Sequence, residues 1–297
     1  MINVRKVPFC VVVVVVVSLL ASSGVSVNAI GNGVNLQPSY YNNGNVTFGW
    51  ELMHKYAQVK TVRIEVEPGY ESQARNWIQQ AAENRYEIIV TYHDYHYLGS
   101  DDYSVLMTAG NWWISNYNYL HNQNGKYYNF TVNLMNEWGS HDQTSDSYSE
   151  AYNQAISQLR TIYSGLIIID IPGWGQETHT AAQASPKIHD SNIMLSAHIY
   201  PNGWNQGYNR NVQASDMDEL YNTGRPCIIG EFGTGIGPVN VGSVVTRAKE
   251  LGFPVQAWAW NGDGENLNMV TPYWYQNAQS SDYNESLPYF WDVIQFI

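Results

Sequence analysis

Short runs of apolar and β-branched residues alternate along the chain with longer stretches in which apolar residues recur every three or four positions. The first pattern is typical of buried strands and the second of amphipathic helices. We predict eight strands, at 33–36, 61–67, 87–94, 131–138, 166–171, 193–200, 227–232 and 255–260. We predict helices at 46–58, 71–84, 102–121, 146–163, 178–188, 210–223, 241–251 and 284–296.

The regular alternation of strands and helices predicts one α/β domain with a parallel sheet. No long linker, low-complexity tract or sequence repeat interrupts it. A doubly wound open sheet would need a glycine-rich phosphate loop after an early strand, and no GxGxxG or GxxxxGK follows any predicted strand. We therefore predict a single (β/α)8 TIM barrel over residues 30–297.

Chemically active side chains stand at the carboxyl ends of six predicted strands. These ends meet at one face of a barrel, where active sites form. The six residues are Asp94, Glu137, Trp174, Tyr200, Glu231 and Trp260. Two of them are glutamates that end apolar runs, and a carboxylate there costs several kcal/mol unless it is paired or functional. Such a pair resembles the acid/base and the nucleophile of a glycosidase.

Alternation along two strands indicates which side chains share a face. Arg63, Glu65 and Glu67 would point into the barrel, where an arginine needs a carboxylate partner. His198 and Tyr200 likewise share a face and can reach a common group. For the two glutamates of the second strand, a structural ion pair explains the pattern as well as a functional role does.

The composition points to a carbohydrate ligand. The chain has only 13% charged residues but 11 Trp and 23 Tyr, and sugar rings commonly stack on such side chains. With 14 basic against 26 acidic residues, nucleic acid and anionic membrane surfaces are unfavourable partners.

Residues 1–29 have the pattern of a secretory signal peptide. Arg5 and Lys6 precede an apolar run at 11–20 that is short for a membrane span, and small residues follow at 27–29. We therefore expect a secreted, extracellular protein that is not membrane-bound after cleavage. Cys227 would then lack a disulfide partner, and we expect it to be a buried apolar residue.

An ordered set of residues on successive predicted strands resembles glycoside hydrolase family 5, in the large clan of retaining (β/α)8 enzymes. The resemblance spans nearly all of residues 31–270. It rests on Arg63, His93, Asn136-Glu137, His198-x-Tyr200, Glu231 and Trp260. The segments 136–138, 171–176 and 258–262 look like those of bacterial-type endo-β-1,4-mannanases. They differ from common cellulases, in which proline usually follows the acid/base.

The resemblance implies a role for each matching residue. Glu137 would be the general acid/base and Glu231 the nucleophile. Asn136 would hydrogen-bond the 2-hydroxyl of the sugar in the −1 subsite. Arg63 and Tyr200 would keep the nucleophile ionised and oriented.

Further residues would bind substrate or support the site. His198 would lie beside the acid/base, and Trp260 would be the platform under the −1 sugar. Trp138 would help to raise the pKa of the acid/base. His93 and Trp174 would complete the cleft. Because neighbours 136 and 137 cannot both face the cleft from a regular strand, we expect a bulge or twist there.

The histidines require separate consideration. His93 and His96, three apart and joined by Asp94, have a spacing that could also ligate zinc. The resemblance makes one of the two a cleft residue, and the sequence leaves open which. The remaining histidines considered, at 121, 141, 179 and 189, are expected to be solvated. Because retaining glycosidase chemistry requires no metal or organic cofactor, we expect none.

The sequence therefore predicts a monomeric endo-β-1,4-glycanase that acts on β-mannan or glucomannan. An endo-β-1,4-glucanase acting on β-glucan is the nearest alternative, because the two substrates differ in the configuration of one hydroxyl. Trp174, Gln176 and Trp204 are the positions at which we would look for that choice. A non-catalytic sugar-binding barrel and a metal-dependent hydrolase are the more distant alternatives.

Overall fold

The computed structural model describes residues 30–297, and its centre is a closed barrel of eight parallel strands. The strands are, in chain order, β1 Gly33–Leu36, β2 Thr61–Val66, β3 Glu87–Tyr92, β4 Thr131–Asn133, β5 Ile167–Asp170, β6 Ile193–Ile199, β7 Cys227–Phe232 and β8 Val255–Asn261. Each pairs with its neighbours in sequence, and β8 closes the barrel against β1. The predicted (β/α)8 TIM barrel is confirmed.

Helices and single turns follow the strands around the outside. They are α1 Trp50–Met53, α2 Glu71–Glu83, α3 Tyr103–His121, α4 Ser145–Leu159, α5 Thr178–Ala184, α6 Asp216–Asn222, α7 Val241–Glu250, α8 Trp274–Asn277 and α9 Tyr289–Ile294. Asp102 and Thr144 cap the first turns of α3 and α4 by accepting backbone N–H bonds. Between α5 and α6 lies a small hairpin, Trp204–Asn205 with Arg210–Asn211.

The barrel interior is divided into an apolar floor and a polar upper part. Alternation along each strand points Ile89, Ile168, Met194 and Ile228 inward near the amino ends, where they form a separate buried cluster. Two residues further along, the inward positions become polar and include Thr91 and Asp170. The charged groups therefore collect at the carboxyl face, and the aliphatic side chains of the outward positions pack under the helices.

Several predicted elements differ from the structure. The last helix, expected at 284–296, is Tyr289–Ile294, because Asn284–Glu285 pair as a strand with Val270–Thr271. The regular fourth strand ends at Asn133 rather than at 138. Leu134 and Asn136 still donate backbone bonds to the neighbouring strands, but the chain turns at Glu137, which has a left-handed backbone. The helix expected at 46–58 is reduced to α1, since Gly49 has a left-handed backbone and the apolar residues before it pack without helical structure. The helix expected at 210–223 begins only at Asp216, after the small hairpin.

The predicted signal peptide, residues 1–29, lies outside the described residues. Among residues 30–297, no helix has the length and apolar character needed to cross a bilayer. Cys227 is buried, as expected.

Candidate active site

Glu231 lies near the end of β7, where a bulge sets its direction. Between Ile229 and Glu231 the pairing with β6 slips by one residue, and Glu231 then faces His198 across the ladder. The residue inside the bulge is Gly230. A Cβ at that position would lie 2.2 Å from Oγ of Ser196, so any larger residue would have to displace the Ser196 side chain.

The carboxylate of Glu231 is buried and held at both oxygens. Arg63 donates to Oε1 at 2.9 Å, and the hydroxyl of Tyr200 donates to Oε2 at 2.6 Å. Burial alone would raise the pKa of Glu231. The positive charges of His198 and Arg63 and the Tyr200 hydrogen bond outweigh burial, so that the pKa lies below its ordinary value. Glu231 is therefore set up to be ionised.

Glu137 reaches the same site from the loop after β4. Its backbone has a φ of +49°, in the left-handed region that residues with a Cβ rarely adopt. Its backbone N–H donates to Oδ2 of Asp170 at 2.9 Å, which holds this conformation. The expected bulge in the strand is thus replaced by a left-handed residue beyond a shortened strand. This turn allows Asn136 and Glu137 to face the same space.

Burial raises the pKa of Glu137, and the nearby negative charge of Glu231 raises it further. The contact with His198, whose Nδ1 lies 2.8 Å from Oε1 of Glu137, opposes this shift without cancelling it. Single carboxylate oxygens of Glu137 and Glu231 lie within 4.8 Å of each other. The site therefore contains two neighbouring carboxylates with pKa values displaced in opposite directions, an arrangement that suits a proton donor and a nucleophile.

His198 lies between the acidic groups. Its Nδ1 is 3.5 Å from Oε1 of Glu231, and its Nε2 is 3.4 Å from Oδ2 of Asp170. Burial by itself would lower the pKa of His198, but the charges of Glu231 and Asp170 raise it well above the usual value. Asp170 is in turn held ionised by His198 and Arg63, and its pKa falls to about 2 despite burial.

Arg63 links these groups from the inward face of β2, as alternation predicted. Its guanidinium donates to Glu65 at 2.7 Å as well as to Glu231. It also donates to the side-chain oxygens of Asn133 and Asn136. Because the amide oxygen of Asn136 accepts from Arg63, its amide nitrogen is the atom left for a ligand.

His93 is the histidine that the structure places in the cleft. Its Nδ1 lies 2.6 Å from Oε1 of Glu67, and its Nε2 lies 3.6 Å from Glu65. Burial would lower the pKa of His93, but the two glutamates raise it to about 9. The side chain of His96, by contrast, is 63% exposed and contacts Asp94. The spacing that suggested zinc therefore does not bring the two histidines to one site.

A cavity of about 280 Å³ opens above the two carboxylates. It is lined by His93, Leu98, Asn136, Glu137, Tyr200, Glu231, Trp258, Asp263 and Leu267. The indole N–H of Trp258 donates to Oδ1 of Asp263 at 2.9 Å. A concave space of this kind, bordered by paired carboxylates and an aromatic ring, can hold one sugar ring.

The placement expected for Trp260 is wrong. Trp260 is completely buried, packs against Phe290 and donates its indole N–H to the carbonyl of Phe48. Trp258 lines the cavity instead. Regular alternation fails here because β1 advances two residues, from Val34 to Leu36, while the paired β8 advances four, from Ala257 to Asn261.

Trp138 also lies outside the cavity. It is buried against Tyr148 and Tyr152 of α4, and its indole N–H donates to the carbonyl of Asp102. It supports the loop that carries Glu137 rather than contacting the cleft. Trp174 is half-buried in the turn Pro172–Gly175, which follows β5 at the carboxyl face.

Within residues 30–297, the group of side chains that could hold a metal ion consists of Glu137, His198 and Glu231. These are the residues already joined to one another and to Arg63 and Tyr200. The same donors therefore form a hydrogen-bonded acid–base cluster.

Asp170 is the main site residue that sequence analysis missed. It ends the apolar run of β5 and contacts Arg63, His198 and the backbone of Glu137. The signal was present, because Asp170 ends an apolar strand as Glu231 does. Trp258 was missed for a different reason, since simple alternation does not separate it from Trp260.

Sequence comparison places the barrel among known enzymes. Residues 41–264 match the family model described as cellulase (glycosyl hydrolase family 5). A mannan endo-1,4-beta-mannosidase of Cellvibrio japonicus (strain Ueda107) is 26% identical over 209 residues, which is 67% of this chain and 47% of that protein. One from Streptomyces lividans is 27% identical over 206 residues, 65% of this chain and 51% of that protein. The chain thus spans about half the length of the curated relatives it matches.

Solved structures share the fold. A β-mannanase of Thermomonospora fusca superposes with a TM-score of 0.69 at 24% identity, over 90% of this chain and 89% of that one. An endoglucanase catalytic domain of Thermobifida fusca gives a TM-score of 0.70 at 14% identity, over 89% and 90% of the two chains. These likenesses concern the fold alone. The family match covers most of the chain, and the protein belongs to glycosyl hydrolase family 5.

Proposed function

We propose that this protein is a secreted, retaining endo-β-1,4-mannanase. The observation that carries the proposal is the pair formed by Glu137 and Glu231. The pKa of Glu231 is lowered and that of Glu137 is raised, and their oxygens approach within 4.8 Å. Retaining glycosidases need one ionised and one protonated carboxyl group about 5 to 5.5 Å apart.

In the first step, the ionised Glu231 would attack the anomeric carbon, and the glycosidic bond would break as the ester bond forms. Glu137 would give its proton to the departing oxygen. Its raised pKa keeps that proton available, and the cavity above both groups is where the reacting sugar would bind.

In the second step, Glu137, now ionised, would take a proton from a water molecule. The resulting hydroxide would displace Glu231 from the anomeric carbon, and the product would keep its original configuration. Asn136 would donate its amide N–H to the 2-hydroxyl in both steps, because Arg63 already occupies its oxygen. Trp258 would form the wall against which the sugar ring packs.

The preference for mannan is the finer part of the proposal. It is supported by the relatives named mannan endo-1,4-beta-mannosidase and by the β-mannanases of the same fold, one of them solved with mannohexaose. An endo-β-1,4-glucanase is the second candidate. It is favoured by the description of the family model as cellulase and by the shared fold of an endoglucanase.

The substrate proposal is tested by measuring reducing-sugar release from pure β-1,4-mannan, glucomannan and carboxymethylcellulose in parallel. We expect activity on pure mannan, and we expect Glu231→Ala to lose at least about 10⁴-fold because it removes the nucleophile. Activity confined to the cellulose derivative would transfer the protein to the glucanases. An active Glu231→Ala variant would remove this residue from the nucleophile role.

A further inference from the structure

Trp258 borders the cavity above the two glutamates from a part of β8 that the neighbouring strands do not align. Register pairing of β8 with β1 stops at Ala257 and resumes at Asn261, and its pairing with β7 ends at Ala257. Trp258 is partly exposed, whereas Ala257 and Ala259 on either side of it are buried. The strand ladder therefore does not fix the direction of the indole, and other contacts must do so.

Asp263 holds the indole of Trp258 from the loop after β8. Its Oδ1 accepts the indole N–H at 2.9 Å. Its Oδ2 accepts the backbone N–H groups of Glu265 at 2.8 Å and of Leu267 at 3.1 Å, which fixes the carboxylate relative to its own loop. Because a hydrogen bond to a carboxylate is strong and directional, this contact restricts the direction in which the ring can point.

Tyr289, the first residue of α9, holds the backbone of Trp258. Its hydroxyl donates to the carbonyl oxygen of Trp258, and the residue is only 9% exposed. Burial and the nearby charge of Asp263 raise the pKa of Tyr289 well above its ordinary value, so the hydroxyl stays protonated and remains a donor. The last helix therefore contacts the wall of the cavity, although Tyr289 is not among the residues that line it.

Gly233 leaves room for the hydroxyl of Tyr289 beside the strand that carries Glu231. It follows directly after β7, two residues beyond Glu231. A Cβ on Gly233 would lie 3.0 Å from the ring of Tyr200 and 3.2 Å from the hydroxyl oxygen of Tyr289. Tyr200 in turn donates to Glu231. Tyr289 therefore packs between the strand end that carries this carboxylate and the residue that borders the cavity.

We propose that Tyr289 and Asp263 are positioning residues that together hold Trp258 as the wall against which the reacting sugar packs. This inference rests on the proposed function, in which that sugar occupies the cavity. Both residues act through Trp258, one on its main chain and the other on its ring. Packing against an aromatic ring depends on its offset and angle, and a misplacement of about 1 Å in a preorganised site can reduce the rate strongly.

The test removes the hydroxyl of Tyr289 and compares the result with the same change at Tyr283. Tyr283 is 8% exposed and also donates its hydroxyl to a backbone carbonyl, that of Thr47, at 2.8 Å. Because each variant loses a buried hydrogen bond, we expect Tyr289→Phe and Tyr283→Phe to lower Tm by a similar amount, about 2 to 4 °C. We expect Tyr289→Phe to lower kcat/KM on mannan about fivefold, and Tyr283→Phe to stay within about twofold of wild type.

A second comparison repeats the measurement in the Trp258→Ala background. In otherwise wild-type protein, we expect Asp263→Ala to lower kcat/KM about tenfold, because it releases the ring itself. Without the indole there is no wall to position, so Tyr289→Phe and Asp263→Ala should each change kcat/KM by at most about twofold in that background. Glu265→Ala removes an exposed carboxylate from the same loop, and this control for lost charge should stay within about twofold of wild type.

Three results would overturn the inference. They are full activity in Tyr289→Phe, an equal loss of activity in Tyr283→Phe, and an undiminished loss from Tyr289→Phe or Asp263→Ala when Trp258 is already alanine. The last result would mean that the residue acts on the sugar or the fold independently of the indole. Failure of the mannanase proposal would be visible separately, because wild-type protein would then leave mannan intact. If wild type cleaves carboxymethylcellulose instead, the same variants test the inference on that substrate.

Discussion

At the scale of single residues, the site depends on two carboxyl groups whose surroundings shift their pKa values in opposite directions. Glu231 is surrounded by donors and positive charge, including Arg63 at 2.9 Å and Tyr200 at 2.6 Å. Glu137 is also largely screened from water, but His198 is the charged partner that its carboxylate contacts. Burial therefore dominates at Glu137, and charge dominates at Glu231.

The pH profile should follow from these shifts. Activity requires Glu231 ionised and Glu137 protonated, so kcat/KM should rise with pH through the lowered pKa of Glu231 and fall through the raised pKa of Glu137. Tyr200→Phe removes a hydrogen bond to the charged form of Glu231 and so raises its pKa. We expect the acidic limb of the profile to move upward by roughly 0.5 to 1 pH unit.

The measurement is kcat/KM against pH for wild type and Tyr200→Phe, with the folded state checked by circular dichroism. The alkaline limb should move much less than the acidic limb. An acidic limb that does not move would contradict the assignment of this limb to Glu231.

The second carboxyl group can be tested through its leaving group. Glu137→Ala should lose about 10² to 10⁴-fold on polysaccharide, because the departing sugar oxygen needs a proton. It should lose much less in the first step on aryl glycosides whose leaving group is stable as an anion. Parallel assays of mannan and 2,4-dinitrophenyl β-mannobioside, followed by the pre-steady-state burst, would measure this difference. Equal losses in the first step would contradict the proton-donor role.

At the scale of elements, irregularities at the strand ends direct the functional side chains. The bulge at Gly230 directs Glu231, and the left-handed turn at Glu137 brings it beside Asn136. In β8, four residues pair with two residues of β1, and across this irregular segment Trp258 lines the cavity whereas Trp260 is buried. Sequence alternation placed Arg63 and His198 correctly because β2 and β6 are regular there, and Tyr200, directly after β6, still reaches Glu231. The platform role that the resemblance gave to Trp260 could not be checked by alternation, because alternation has no meaning inside the irregular segment of β8.

The two tryptophans of β8 give a matched test of this element. Trp260→Ala empties a buried site and should lower the free energy of unfolding by about 3 to 5 kcal/mol. Trp258→Ala should cost less than half of that, because its ring is partly exposed at the cavity, but it should lower kcat/KM by about tenfold or more through lost stacking. Thermal unfolding and assays on mannan would measure both. A reversed pattern would return Trp260 to the cleft.

At the scale of the whole molecule, the apolar and charged layers have separate places. The floor of the barrel is an apolar cluster, and the ionic network of Arg63, Asp170 and His198 lies above it at the carboxyl face. A network of buried charges costs desolvation free energy, which is recovered only where every member has partners. The closed barrel supplies those partners from all sides, because each strand ends at the same rim.

The sequence by itself determined the strand and helix alternation, the barrel, the inward arginine of β2 and the two glutamates that follow apolar runs. These features follow from the local sequence, because the spacing of apolar residues, the apolar runs and the isolated carboxylates can be read directly along the chain. Only the tertiary structure decided that Asp170 completes the charge network, that Trp258 rather than Trp260 lines the cavity, and that His93 rather than His96 enters the cleft. It also paired His141, which was expected to be solvated, with the buried Glu177. Each of these depends on bulges, left-handed turns and contacts between distant loops, which arise only when the whole barrel closes.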